Sequence, residues 1–437
     1  MLASVVASQP AEATGGTEQW VARLTGPSAT ALNHVAGLAV SPDGSRVFVT
    51  GDMYYPSTGG KLRTVAYDAS TGTQLWSTDG PASDVGASTL RLSPDGSTVY
   101  VVGSSAGDYL TLAYDAATGA RVWKKRYTYS IGSNFSNTAG ALGVSPDGST
   151  VFVTGASDDG VWTDYATVAY KASTGRHLWT ARYGRSAEDA ARALSVSPDS
   201  STVFVSGFST SHTSLDIETI GYSAATGHEL WKRRYDGPAH HEDQANAMAV
   251  SPDGSQVYVT GLSDGSNRRR DFVTLAYGAK TGTSRWIRRY NGPGDWDDNA
   301  KAISVSPDGS RVYVAGYRTG HHAFSRDAET IAYSSAGERL WHRAYNGPAD
   351  YWDQAAAIGV SPDGTQVYVT GFRYDLQNNR DFATLAYRAS TGEHLWEAFY
   401  DQDDDGASVL GVNPDGSSVY VSGMSGADFT TVAYSTT

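Results

Sequence analysis

The sequence contains no cysteine, so disulfides, thiolate metal sites and cysteine nucleophiles are excluded. Although 40% of it is hydrophobic, it has no apolar run of about 18 residues, and no membrane-spanning helix is expected. Positive charge is also scarce. Lys and Arg number 33 against 46 Asp and Glu, a formal net charge of −13, which argues against a nucleic-acid binder because phosphate contacts need clustered cations. What is abundant is glycine (48) and aromatic side chains (27 Tyr, 11 Trp, 11 Phe).

Met1 to Ala13 carries no basic residue and too few apolar positions for a full signal peptide. It reads as a disordered tail or as the remnant of a trimmed export signal, so residues 1–16 are set apart as a flexible tail or signal remnant from a domain over 17–437. A secreted or cell-surface location is the matching expectation.

Internal repetition determines the organisation. Ser41-Pro42-Asp43-Gly44 recurs at Ser93, Ser145, Ser197 (as SPDS), Ser251, Ser306, Ser361 and Asn413 (as NPDG), at spacings of 52, 52, 52, 54, 55, 55 and 52. A period in this range signals a solenoid, propeller or array. Each unit carries four short β signals. In the fifth they are Ala245 to Val250, Gln256 to Gly261, Asp271 to Tyr277 and Ser284 to Tyr290, with a Pro-Asp-Gly turn joining the first pair and a Thr-Gly turn the last. The first strand alternates large residues (Leu194, Val196) with small ones (Ala193, Ser195), which suits strands converging on a crowded axis.

The last unit stops after its third strand, Thr430 to Tyr434, while the chain begins with an orphan fourth strand, Glu18 to Leu24. The expected fold is therefore all-β: a single eight-bladed β-propeller with four antiparallel strands per blade, closed by an N-terminal strand completing the last blade. A monomer is expected.

Family likeness rests on particular residues. Ala66-Tyr67-Asp68-Ala69-Ser70-Thr71-Gly72-Thr73-Gln74-Leu75-Trp76, and the matching run from Ala113 to Trp123, resemble the tryptophan-docking motif of eight-bladed pyrroloquinoline-quinone (PQQ) dehydrogenases. Ser-Pro-Asp-Gly-Ser-x-Val-Tyr-Val-Thr-Gly resembles YVTN-type repeats, and Asp381 to Trp396 is similar to the bacterial SBBP repeat. These resemblances cover nearly the whole chain from about Trp20 onward and imply a propeller. The quinone enzymes are longer and commonly place a vicinal disulfide beside their cofactor, so this cysteine-free chain departs there, and no catalytic residue is carried over.

Residues left after the scaffold is subtracted carry the functional expectation. Tyr54, Tyr55, Tyr109, Tyr129, Tyr165, Tyr317, Tyr351, Tyr374, Trp162, Trp296 and Trp352 stand outside the repeated aromatic positions. They fall between strands two and three or between consecutive blades, connections that emerge on one face of the disc, where binding is expected. Two sets of aspartates are placed near the same face. Eight residues before each SPDG stand Asn33, Val85, Asn137, Asp189, Asp243, Asp298, Asp353 and Asp405. At the start of the third strands stand Lys61, Asp108, Asp164, Asp216, Asp271, Asp327, Asp381 and Asp428. Two readings stay open: hydrogen-bond acceptors for turn N–H groups and partners of nearby Arg, or a negative funnel that concentrates a cation.

Three clusters break the repeat. Asp401-Gln402-Asp403-Asp404-Asp405-Gly406 opens like a calcium loop, with Asp401, Asp403 and Asp405 as ligands, but Val412 stands where an EF-hand needs Glu. His240-His241-Glu242-Asp243 and His321-His322 offer imidazoles without fixed spacing. Trp296 with Asp298, and Tyr351 and Trp352 with Asp353, pair aromatic faces with carboxylates, a combination suited to sugar stacking or a quaternary cation.

The expected function is a ligand-binding or interaction propeller for a glycan, a cationic small ligand or a protein partner, with calcium as the implied ion. Stacking is expected from Trp296, Trp352 and Tyr351, a charged lining from Asp243, Asp298, Asp353 and Asp405, and a further ligand-binding contact from His241. The rival is an enzyme with its site in the central funnel, either PQQ-dependent by resemblance or a lyase or hydrolase using paired carboxylates.

Overall fold

In the computed structural model, residues 15–26, 33–55, 59–81, 85–129, 137–184, 187–211, 214–265, 268–320, 325–402 and 404–437 are described; Met1–Ala13, His321, His322 and Asp403 lie outside them. The described residues form eight four-stranded antiparallel sheets and no helix. Blade 1 runs through His34–Val40, Arg46–Tyr55, Gly59–Asp68 and Gln74–Asp79, and blade 5 through Asp243–Val250, Gln256–Asp264, Arg270–Gly278 and Ser284–Tyr290. First strands of neighbouring blades touch in an unbroken circle, blade 8 against blade 1 included, so they are the inner strands around the axis.

Ring closure follows the expected route. Glu18–Leu24 pairs antiparallel with Asp428–Ser435 and completes blade 8. Gly15 and Gly16 belong to the ring as well: Gly16 N–H donates to the Ser435 carbonyl (2.8 Å) and Ser435 N–H to that of Thr17 (2.9 Å). Gly72 and Asp68 make the same two bonds within blade 1, so the two chain ends rebuild a Thr-Gly turn without a covalent link.

The tryptophans hold blade to blade. Trp231 Nε1 donates to the Ala279 carbonyl of the next blade (2.7 Å), as Trp20 does to Ala69 (2.9 Å) and Trp123 to Ala172 (2.8 Å). Each indole lies under the next blade's turn glycine. A Cβ on Gly282, whose φ is +63°, would stand 2.5 Å from Trp231 Cε3, so only glycine fits.

A second belt uses the tyrosine that stands four residues after six of the eight blade tryptophans. Tyr127 accepts from Arg182 of the next blade (3.2 Å), Tyr235 from Arg289 (3.3 Å) and Tyr400 from Arg23 (2.8 Å), which joins blade 7 to the closing strand. On the opposite face the SPDG turns seal themselves. Ser251 Oγ donates to Asp253 (2.6 Å), Ser255 N–H donates to the same carboxylate (3.0 Å), and Gln256 N–H donates to Ser251 Oγ (3.0 Å).

Candidate functional site

Both aspartate sets are structural in geometry. Asp298 is wholly buried at an inner-strand entrance, where it accepts the N–H of Gly292 in the loop before it and that of Thr319 (2.8 Å) at the exit of the next strand. Asp353 does the same for Gly347 and Tyr374 (3.0 Å), Asp243 accepts from Gly237 (2.6 Å), and Asp405 from Gln402 (2.9 Å). Asn33 and Asn137 fill the same place with a carbonyl oxygen, accepting from Tyr54 N–H (2.7 Å) and Asp158 N–H (3.2 Å). The expected charged lining is corrected: Asp243, Asp298, Asp353 and Asp405 pin loops from beneath the surface, because backbone donors at the strand entrance draw the short side chains inward.

Burial has an electrostatic consequence. Desolvation pushes the Asp298 carboxyl up to about 7 and those of Asp243 and Asp353 to about 6, against the pull of their backbone N–H donors.

The third-strand set pairs with arginine inside its own blade. Asp164 meets Arg182 (2.7 Å), Asp271 meets Arg289 (2.7 Å), Asp327 meets Arg318 (3.0 Å) and Asp381 meets Arg373 (3.1 Å). The same arginines receive the tyrosines of the belt, so charge and ring closure form one network.

The variable-face aromatics divide. Tyr109 and Tyr165 are core residues of third strands, each directly after the aspartate at the strand entrance, and pack on Tyr127 and Tyr183. Trp296 and Trp352 do lie in the expected loops, and Tyr351 stacks on Trp352 with ring centroids 5.8 Å apart and planes 13° from parallel. Their faces, however, are occupied. The Arg269 guanidinium is 3.9 Å from the Trp296 ring centroid, and that of Arg326 is 4.6 Å from Trp352 and 4.4 Å from Tyr317.

The calcium-like segment from Asp401 to Gly406 is split between two environments. Asp405 turns into the disc, whereas Asp401 is exposed and its carboxylate lies within 4.8 Å of those of Asp375 and Asp381. A second trio, Asp216, Asp236 and Asp243, already contains the ion pair of Asp216 with Arg234.

His241 lines a cleft of about 450 Å³ with Ser214, Leu215, His240, Glu242, Asp264 and Arg268, between blades 4 and 5. His240 pairs with Asp236 (2.8 Å), whose hydrogen bond and charge raise the imidazole above its ordinary value. A further cleft of about 390 Å³ spans blades 7, 8 and 1 and includes Asn33, Phe372, Arg380, Asp404, Ser408 and Met424. Both open on the variable face.

One ring of residues was missed in the sequence. Every inner strand has a β-bulge at the same place, holding Ala36, Ser88, Gly140, Arg192, Asn246, Lys301, Ala356 and Ser408. These eight reach solvent while the residue before each is buried, so they face the axis just inside the variable face. The signal was available: they stand five residues before each SPDG, and Arg192 and Lys301 alone are charged.

Comparison with known proteins agrees with this architecture. A family model described as outer membrane protein assembly factor BamB (PQQ_2) matches residues 4–270, more than half of the 437-residue chain. The chain belongs to this family. No curated protein matches it in sequence. Among solved structures, Chaetomium thermophilum Sqt1 bound to the N-terminus of the ribosomal protein L10 is similar, with TM-score 0.65 and 14% identity over 92% of this chain and 97% of Sqt1. Saccharomyces cerevisiae Sqt1 gives TM-score 0.63 at 10% identity over 94% of this chain and 97% of that one. The C-terminal WD40 domain of Sif2 gives 0.59 at 12% over 96% and 99%. At these identities the likeness is one of fold. Family and fold together support an interaction or scaffold role for the disc, and among the described residues no helix is long and apolar enough to cross a membrane.

Proposed function

We propose that the protein is an interaction propeller that works outside the cytoplasm and engages its partner through the variable face. The observation carrying this reading is the difference between the two faces. On the SPDG side seven of the eight blades repeat the same self-sealed turn, and blade 8 varies it with Asn413. On the other, the clefts of about 390 and 450 Å³ combine repeated positions such as Asn33, Ala356 and Ser408 with loop residues that differ from blade to blade, among them His240, His241, Arg268, Arg380 and Asp404. Rigid blades with one individual face are a platform for recognition. The extracytoplasmic location is supported by the family description, and Sqt1, held to a ribosomal-protein terminus in its own complex, illustrates a disc of this shape receiving a peptide.

The covered rings of Trp296 and Trp352 weigh against glycan stacking and favour a protein partner. Calcium enters this reading only as a ligand of Asp401 with Asp375 and Asp381. A rise in Tm with calcium chloride that Asp401→Asn removes supports it, and an unchanged Tm removes it. No step is derived through a quinone, since the cysteine pair that the resemblance places beside one is absent.

The test is photo-crosslinking in the producing cells, with a photoreactive residue at Trp162 or Tyr351 on the variable face, or at Ser255 in an SPDG turn. Adducts from the first two and none from Ser255 are expected. Adducts from Ser255 alone, or from none of the three, would overturn the reading.

A further inference from the structure

The chain carries 13 more acidic than basic residues, yet the axial end of its variable face holds unneutralised cations. Arg192 of blade 4 and Lys301 of blade 6 occupy bulge positions of the inner strands, on either side of Asn246 in blade 5. Arg326, at the start of the third strand of blade 6, shares the Tyr317 ring with Lys301: the guanidinium is 4.4 Å and the ammonium 5.8 Å from its centroid. Among the described residues none of the three forms an ion pair or a side-chain hydrogen bond. The acidic group facing this cluster is Glu242, which feels Arg192 but is bound to Arg270 at 2.7 Å. Burial and the positive charges of Arg192, Arg326 and Arg270 together lower the Lys301 amine below its ordinary value, the mark of cations held close to one another.

The scaffold does not need this charge. Ala36, Ser88, Gly140, Ala356 and Ser408 hold the same bulge in five other blades, so the geometry forms with a small neutral side chain. With Glu242 committed to Arg270, like charges crowded in this way favour an anion beside them.

We propose that the axial end of the variable face over blades 4 to 6 binds an acidic peptide segment, with Arg192, Lys301 and Arg326 as its carboxylate partners. This deepens the variable-face reading and rests on it. A peptide fits better than a nucleic acid because the positive zone is three side chains wide on an acidic disc, which repels a long polyanion. It fits better than a lone phosphate because the cations are spread over two blades, with blade 5 and its Asn246 between them. Carboxylates two residues apart on an extended chain stand about 7 Å from each other, a spacing suited to successive cations. Arg192 and Arg326 offer planar forks for carboxylate, steadied by Phe208 (5.0 Å from the Arg192 guanidinium) and Trp352.

The test is fluorescence anisotropy with the full chain and a labelled octapeptide of alternating Glu and Gly. Binding that weakens with salt is expected, with Kd rising roughly tenfold to a hundredfold in Arg192→Ser/Lys301→Ala. These replacements already stand at the equivalent places in other blades, and Arg326→Gln, outside the inner strands, provides a second variant should the first misfold. No binding by wild type, equal binding by both variants, or equal binding of a Lys-Gly octapeptide would overturn the proposal. Competition by inorganic phosphate at the peptide's own concentration would overturn the peptide in favour of a small anion. If Arg268→Ala/His241→Ala at the neighbouring cleft abolishes binding while the axial variants keep it, the variable-face reading stands and this one fails.

Discussion

Arg326 lies with its guanidinium 4.6 Å from the centre of the Trp352 ring, on the same loop face as Tyr351. A tryptophan in a loop beside carboxylates looks like a sugar platform in sequence, but here the platform is already covered. Isothermal titration of neutral oligosaccharides into wild type is therefore expected to give no heat, and Arg326→Ala is expected to cost about 0.5–1 kcal/mol of stability from the lost cation–π contact. Strong glycan heat that Trp352→Ala removes would contradict this.

The buried aspartates predict an unusual pH response. Asp298 at about 7 and Asp243 and Asp353 at about 6 hold protons more tightly folded than unfolded. Their contribution is present in full below the unfolded value of about 3.8 and is lost as pH rises through 6 to 7. Asp43, Asp199 and Asp308, held near 2 by serine and backbone donors, act oppositely, and their contribution is lost as pH falls from about 4 toward 2. Tm should rise from pH 8 to about pH 5 and fall below pH 4. Asp298→Asn, which copies Asn33 and Asn137, should flatten the upper limb, whereas Asp298→Ala leaves two backbone donors unpaired and should cost on the order of 2 kcal/mol or more. Scanning calorimetry across pH checks both.

The tryptophan girdle makes a graded prediction. Trp231→Phe removes the hydrogen bond to Ala279 and keeps a ring in place, for a loss of about 1 kcal/mol. Gly282→Ala adds a methyl group 2.5 Å from the same indole at a φ of +63° and should cost more, by chemical denaturation.

Ring closure can be opened. Deleting Glu18–Leu24 strands the edge of Asp428–Ser435 and removes the Arg23 contact to Tyr400. Light scattering should then detect concentration-dependent association, and a synthetic peptide spanning Gly15 to Gly26 should reverse it.

The fold was legible because each structural device is written eight times. A single SPDG is an ordinary turn, but eight of them, with a tryptophan and a Thr-Gly beside most, leave one architecture. The site was less legible because its residues occur once. Nothing in the sequence around Asp298 says whether its carboxylate faces water or two backbone donors, and that choice reverses its role. Arg192 and Lys301 were readable as breaks in an inner-strand register of small residues, yet they are separated by 109 positions and meet only when the ring closes.

Hydrogen exchange on the full chain with the Glu-Gly octapeptide tests the central claim that the individual face recognises and the repeated face only builds. Added protection at the starts of Asp189–Val196 and Asn299–Val305 and around Tyr317, with none in the SPDG turns, is the predicted result. Protection confined to the SPDG turns, or absent throughout, would contradict it.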